Sequence, residues 1–353
     1  MIKILAPGRI CLFGDHQDYL GLPIIGCAIN RAIRLEAKEN LEQVLRIDMP
    51  DINEVRIIDL QFPIKSISKK DYFVSSLEVL QDIGGFLDRG FDVQISGNIP
   101  INSGLSSSSA IVVAWIAFLL KAYTKKIEIS PEYIAHLAYR AEVLEYKAPG
   151  GLMDQYCISI GKVIFLNTIN GHHTIINKKI GSLIVGESGV PKQTLGVLKN
   201  LRGYAENAIA QVHKKVPNFK ISEATIKDYE LYKQYISEGI RPIFYAAIRN
   251  HEITQEAFKE LQYNTIDLVK IGELMTAHHY ILKDILKITV PIIDTMVEGA
   301  LATGALGAKI VGSGGGGSIV AIANIGEEEK VIKGMLVGGA KSAYKIDIAN
   351  GVT

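Results

Sequence analysis

Cysteine is scarce in this chain. Cys11, Cys27 and Cys157 are the only three in 353 residues, too few and too far apart for a disulfide framework or a cysteine metal site. Long apolar runs are missing as well. The longest, 110–120, falls well short of the roughly 20 residues that span a bilayer, and the opening residues hold too short an apolar run for a signal peptide. A protein of the reducing cytoplasm, with no membrane partner, is the expectation. Charge of one sign is the third absence, with 38 Lys+Arg against 37 Asp+Glu and a net charge of +1. Such a chain has no positive field to gather phosphate backbones, which argues against nucleic acid as a partner. At 48% hydrophobic and 21% charged residues it is also not a disordered polymer.

What the chain has in quantity is glycine, 33 residues of it, set among short alternating and helical patterns. Strands are expected at 2–5, 10–13, 34–37, 54–58, 91–95, 162–167 and 183–185, with helices at 74–86, 107–123 and 131–143. From 191 onward the pattern is helical, at 193–215, 221–237, 243–250, 254–264 and 266–286. Strands return at 309–311, 318–323 and 344–348, around a helix at 327–337. This succession predicts an α+β protein of two domains, 1–185 and 186–353, the first mixed α/β.

Three glycine-containing segments and one acidic pair carry the chemistry. In 100–110, Pro100, Ser103, Gly104, Leu105, Ser106, Ser107 and Ser108 lead directly into a helix. Small residues before a helix N-terminus offer amide N–H groups and the positive end of the helix dipole to a phosphate. No lysine follows Gly104, so the P-loop pattern is not met; the plainer alternative is a serine N-cap. In 7–19, a strand ends at Gly14 and is followed by Asp15, His16, Asp18 and Tyr19, a cluster able to bind vicinal hydroxyls. A polar turn is one alternative there, and a divalent metal on Asp15, His16 and Asp18 another, although metal-binding loops usually supply more ligands. In 307–320, Gly314, Gly315 and Gly316 belong to a run of four glycines between two apolar strands, more than a hairpin needs and suited to close backbone approach. Between the second and third segments lie Glu142, near a helix end, and Asp154, beyond Gly150-Gly151. Alone, Asp154 reads as a helix cap.

Taken together, in this order and spacing, these segments resemble the GHMP kinase superfamily over essentially the whole chain. Asp15-His16-Gln17-Asp18-Tyr19 is similar to the Glu-His-x-Asp-Tyr signature of its galactokinases, and 151–155 is similar to their catalytic-aspartate segment. The resemblance implies a C-terminal ferredoxin-like αβ domain, ATP and Mg²⁺ as cofactors, and a monosaccharide phosphorylated at its anomeric hydroxyl to a sugar 1-phosphate. It assigns Asp154 as the base with Arg9 beside it, the 103–108 loop to the ATP phosphates, and Ser108 with Glu142 to Mg²⁺. Arg9, Asp15, His16, Asp18, Gly151 and Asp154 are then the acceptor site. Asp15 departs from the usual glutamate, and 191–194 and 304–309 are similar to mevalonate kinases.

A mevalonate or uronic-acid kinase, or a sugar sensor without activity, are the alternatives. The two carboxylates at 15 and 18 disfavour an anionic acceptor. Ser108, Glu142 and Asp154 disfavour a sensor, which has no need of them. Lys192 could approach a phosphate, but a lysine in a first helical turn reads more simply as solvated. His172-His173 and His278-His279 read as solvated or locally bonded, and Trp115 with 112–120 as the core face of the helix behind the phosphate loop.

Overall fold

The computed structural model describes residues 1–61, 64, 70–124, 128–192 and 195–353. Its first half is built on a seven-stranded sheet. Strand β1 (Ile2–Phe13) pairs antiparallel with the long β2 (Ile24–Asn40). The two short strands expected at 2–5 and 10–13 are thus one, because the ladder passes Pro7 and Gly8 by a register shift instead of ending there. Strand β3 (Val44–Met49), which the sequence reading missed, precedes β4 (Glu54–Asp59). Helix α1 (Tyr72–Asp82) is capped by the Asp71 side chain and followed by Gly84-Gly85, so it starts and stops earlier than expected. Then come β5 (Gly90–Gly97), α2 (Ser107–Tyr123), α3 (Pro131–Tyr139), α4 (Met153–Ile160), β6 (Val163–Leu166) and β7 (His173–Ile175). Sheet order is β4-β3-β5-β2-β6-β7, with β1 against β2. Helix α2 is buried nearly all round, Trp115 included, which its unbroken apolar run required.

The second half begins with β8 (Ser182–Glu187). Helices α5 (Leu195–His213), α6 (Ile226–Tyr232), α7 (Arg241–Gln262), α8 (Leu268–Tyr280) and α9 (Pro291–Ala302) follow. Strands β9 (Gly307–Val311) and β10 (Ser318–Ala323), helix α10 (Glu328–Val337) and β11 (Ser342–Ile346) complete the chain. The antiparallel order β11-β8-β10-β9 with this succession is the ferredoxin-like arrangement that the resemblance implied. Ile319 and Ala321 pack with Met296 and Met335 on one face, while Val320 and Ile322 join Ile271 and Met275 on the other. Burial of both faces explains why β10 has no polar alternation.

Several helices differ from expectation. Helices foreseen at 243–250 and 254–264 are the single α7, since His251, Ile253 and Thr254 are buried and keep its inner face continuous. The helix foreseen at 221–237 is reduced to α6, started by the Thr225–Asp228 capping box, with short 3₁₀ turns on either side. Gln193 and Thr194, the expected start of α5, lie outside the described residues. Strand β8 straddles the expected 185/186 division and pairs with β10 and β11. We therefore propose 182 as the start of the second domain.

Candidate active site

Strand β1 carries Arg9 to the edge of the 103–108 loop, where the Arg9 amide donates to the Leu105 carbonyl at 3.2 Å. The same strand ends at Phe13, and the turn after it places His16 at φ +62. Ser106 occupies the N-cap position of α2 at φ +62 but its hydroxyl caps nothing. It donates instead to Asp154 Oδ2 at 2.8 Å. The plain N-cap alternative for this serine therefore does not hold.

Asp154 lies in the first turn of α4, whose own N-cap is Leu152. Arg9 Nε donates to its Oδ1 at 2.7 Å, and Arg9 Nη1 donates to the Gly104 carbonyl at 2.6 Å. Burial pushes the Asp154 carboxyl up, but the Arg9 charge, its hydrogen bond and that of Ser106 bring it below the usual value. Asp154 is thus ionised throughout the working range. Asp18 lies across the cleft. Burial, then the neighbouring charge of Asp154, raise it to about 7. A β-carbon on Gly151 would overlap the Asp18 carboxylate, so a larger residue there would push Asp18 out of its present position.

Glu142 is placed by a π-helical turn, 140–144, that ends α3. Its two oxygens accept from Ser109 Oγ at 3.0 Å and Gln155 Nε2 at 2.7 Å. Burial dominates and raises it to about 7. Ser108, one residue from that hydrogen-bonded serine, is exposed and lines the same cleft as Glu142 and Asp154. Among the described residues no group of three or more His, Cys, Asp or Glu could hold a metal. A cation here would take most of its ligands from phosphate and water, as Mg²⁺ does.

Next to this cleft is a largely apolar one of about 490 Å³, lined by Ile33, Met49, Ile99, Pro100, Ile111 and the 106–108 serines. Its size suits a nucleotide-sized ligand.

The third glycine segment braces the second. Residues 312 and 314–317 all have positive φ, a β-carbon on Gly317 would stand 2.9 Å from the Ser103 carbonyl, and Ser318 Oγ donates to that carbonyl at 2.8 Å. Gly314, Gly315 and Gly316 thus shape a loop behind the 103–108 loop, and more than a hairpin turn. Asp15 reaches the same loop. Its Oδ2 accepts from Lys309 Nζ at 2.5 Å and its Oδ1 from the Gly312 amide at 2.8 Å. Burial raises its carboxyl, yet Lys309 holds it below the usual value. The sequence reading gave Asp15, His16 and Asp18 to the sugar; both Asp15 oxygens hold protein partners, His16 is buried with Nε2 3.2 Å from the Ser313 carbonyl and Nδ1 3.5 Å from the Tyr19 hydroxyl, and Asp18 is the partly exposed one of the three. Lys309, fully buried, was missed because a lysine inside an apolar strand gives no sign of the partner that neutralises it.

The histidine expectation needs correction. His278 and His279 are buried at 0% and 1% exposure, and burial lowers them to about 3 and about 4. They are neutral members of the core behind Lys309 and not solvated; His279 is locally bonded, its Nδ1 accepting from the Ile310 amide at 3.4 Å, whereas neither ring nitrogen of His278 has a hydrogen-bond partner.

Comparison with known proteins agrees with the geometry. The model for the GHMP kinases N terminal domain matches residues 71–162, that for the GHMP kinases C terminal matches 254–336, and the galactokinase galactose-binding signature matches 4–38. Galactokinase of Clostridium perfringens is 28% identical over 99% of this chain and 94% of that protein. Galactokinase of Staphylococcus saprophyticus is 26% identical over 99% and 95%. Among solved structures, Lactococcus lactis galactokinase complexed with galactose superposes with a TM-score of 0.88 at 23% identity, over 99% of this chain and 94% of that one. Methanococcus jannaschii mevalonate kinase gives 0.72 at 23% identity, over 99% and 98%; these two likenesses speak for the fold. With both domain models and the galactose-binding signature matched in chain order, the chain belongs to the GHMP kinase superfamily, on its galactokinase-like, sugar-kinase branch.

Proposed function

We propose that this chain is an ATP-dependent sugar kinase that phosphorylates the anomeric hydroxyl of a monosaccharide, giving a sugar 1-phosphate. The observation that carries the reading is the Arg9–Asp154 pair at the junction of the phosphate loop and the His16–Asp18 turn. There one carboxylate meets both the loop serine and the acceptor cleft.

Phosphoryl transfer asks a protein mainly for in-line positioning and charge neutralisation. The 103–108 loop, with Gly104 at φ +86, offers amides and the α2 dipole to the triphosphate. Asp154 is ionised and oriented by Arg9, and accepts the acceptor hydroxyl's proton. Being held below the usual carboxylate value, it is a weak base, which suits a loose transition state in which the acceptor oxygen has gained little bonding to phosphorus and keeps its proton until late. Asp18 and His16 orient the acceptor. Glu142 and Ser108 would hold Mg²⁺, and the acidic neighbours Glu142, buried, and Asp154, partly exposed, favour a cation between them and the phosphates. When bound, Mg²⁺ supplies charge for the β- and γ-phosphate oxygens.

Coupled ADP release with galactose, other monosaccharides, uronic acids and mevalonate tests this reading. An anionic acceptor belongs in the set because Lys309 neutralises Asp15 and Asp18 titrates near 7, so the two carboxylates repel an anion less than their number suggests. Turnover with a neutral monosaccharide is expected, and Asp154→Asn is expected to lower kcat by about 10²–10⁴-fold with nucleotide still bound. Tight sugar binding without ADP release from any acceptor would overturn the kinase reading in favour of a sensor.

A further inference from the structure

Lys192 lies in the segment between β8 and α5, the stretch that reads in sequence as solvated. The fold holds this segment to both glycine loops. The Ser188 amide donates to the Gly317 carbonyl at 2.9 Å, the Gly317 amide to the Val190 carbonyl at 2.8 Å, and the Lys192 amide to the Asn102 carbonyl at 3.4 Å. The side chain therefore emerges over the phosphate loop from a backbone fixed on two sides.

Three clefts meet there: the apolar nucleotide-sized cleft with Ser106–Ser108, the Glu142 cleft, and the acceptor cleft with Arg9, His16 and Asp18. Lys192 is the one described residue that lines all three. It is half-buried, and no carboxylate lies within 4 Å of its ammonium among the described residues. The other cations of the site are committed, Arg9 to Asp154 and Gly104, and Lys309 to Asp15. This partly buried ammonium feels Asp154 and Glu142 only at longer range and makes no ion-pair contact, so a phosphate at the meeting point of the clefts would give it the direct charged partner it lacks.

We propose that Lys192 is a catalytic residue that binds the γ-phosphoryl group of the nucleotide and follows it to the acceptor. This assignment rests on the sugar-kinase reading above. In the step it serves, a bond forms between the acceptor oxygen and the γ-phosphorus as the bond from that phosphorus to the bridging β-phosphate oxygen breaks. ADP leaves with the electron pair, and the acceptor proton passes to Asp154. Charge on the three equatorial oxygens migrates from the loop side toward the acceptor side, and an ammonium on a flexible stem bordering both clefts can track it. Burial and the charge of Arg9 hold the free ammonium below its ordinary value, a penalty that an arriving phosphate removes.

The test compares Lys192→Met and Lys192→Arg with the unaltered chain, by calorimetric binding of Mg²⁺-AMP-PNP and Mg²⁺-ADP and by steady-state kinetics. The unaltered chain should bind the triphosphate analogue more tightly than ADP. Lys192→Met should weaken the analogue about tenfold or more while ADP changes less than about twofold, and should lower kcat by about 30-fold or more. Lys192→Arg should restore most of the preference for the triphosphate. Equal loss for both nucleotides, no loss for either, or a rise confined to the acceptor KM would overturn the assignment. Should the Met variant unfold, Lys192→Gln and Lys192→Arg give the same comparison. If the unaltered chain phosphorylates no sugar, the sugar-kinase reading fails, and the nucleotide comparison still decides the γ-phosphate contact.

Discussion

At Glu142 two oxygens accept hydrogen bonds from Ser109 and Gln155, both of which favour the charged form, yet burial outweighs them and the carboxyl titrates at about 7. Its folded value lies above the ordinary glutamate value. Its contribution to stability is therefore fully present below about 4.5 and is lost as the pH rises through about 7. Cation binding runs the other way, because a metal needs the ionised form. Affinity for a Mg²⁺-nucleotide should rise between pH 6 and 8, with protons released on binding. Calorimetry in buffers of different ionisation enthalpy measures that release. Glu142→Gln should flatten the pH dependence and weaken the Mg²⁺-dependent part of binding by about tenfold or more. Asp154 contributes nothing to this limb, since Arg9 keeps it ionised well below neutral pH.

Helix α2 and the loop before it were readable from sequence because their cause is local. Serines precede an unbroken apolar run, and the helix starts at Ser107, three residues ahead of that run. The π-turn that places Glu142 and the helix that carries Asp154 were not readable. α4 is eight residues long and follows Pro149-Gly150-Gly151, and only packing of Met153, Tyr156 and Cys157 against Cys11 and Ile24 makes it worth forming. The loops themselves depend on one another. Gly104 has φ +86, and a β-carbon on it would stand 3.0 Å from the Val311 carbonyl. Gly104→Ala should thus lower stability by about 1–2 kcal/mol. It should also weaken nucleotide binding more than acceptor binding, checked by thermal unfolding and by the two KM values.

Over the whole molecule, the Asp15–Lys309 pair ties the turn after β1 to the second sheet. Both side chains are within 1% of complete burial, and Lys309 also donates to the Cys11 carbonyl. Removing one partner strands a buried charge. Lys309→Met should destabilise the protein by about 3–5 kcal/mol, and adding Asp15→Asn should recover part of the loss, read by denaturant unfolding of the two variants. A double variant no more stable than the single one would deny the coupling.

The sequence by itself determined the Gly/Ser loop before α2, the two-part α+β architecture and the residue types at the proposed centre. Each of these is written in short segments whose physics is local: glycine freedom, helix caps, apolar periodicity. Only the tertiary structure decided which charges are spent and which are free. Arg9 and Asp15 are neutralised by partners 145 and 294 residues away, while Lys192, bland in sequence, emerges where three clefts meet. Charge pairing acts through space between distant strands, and no local pattern of residues encodes it.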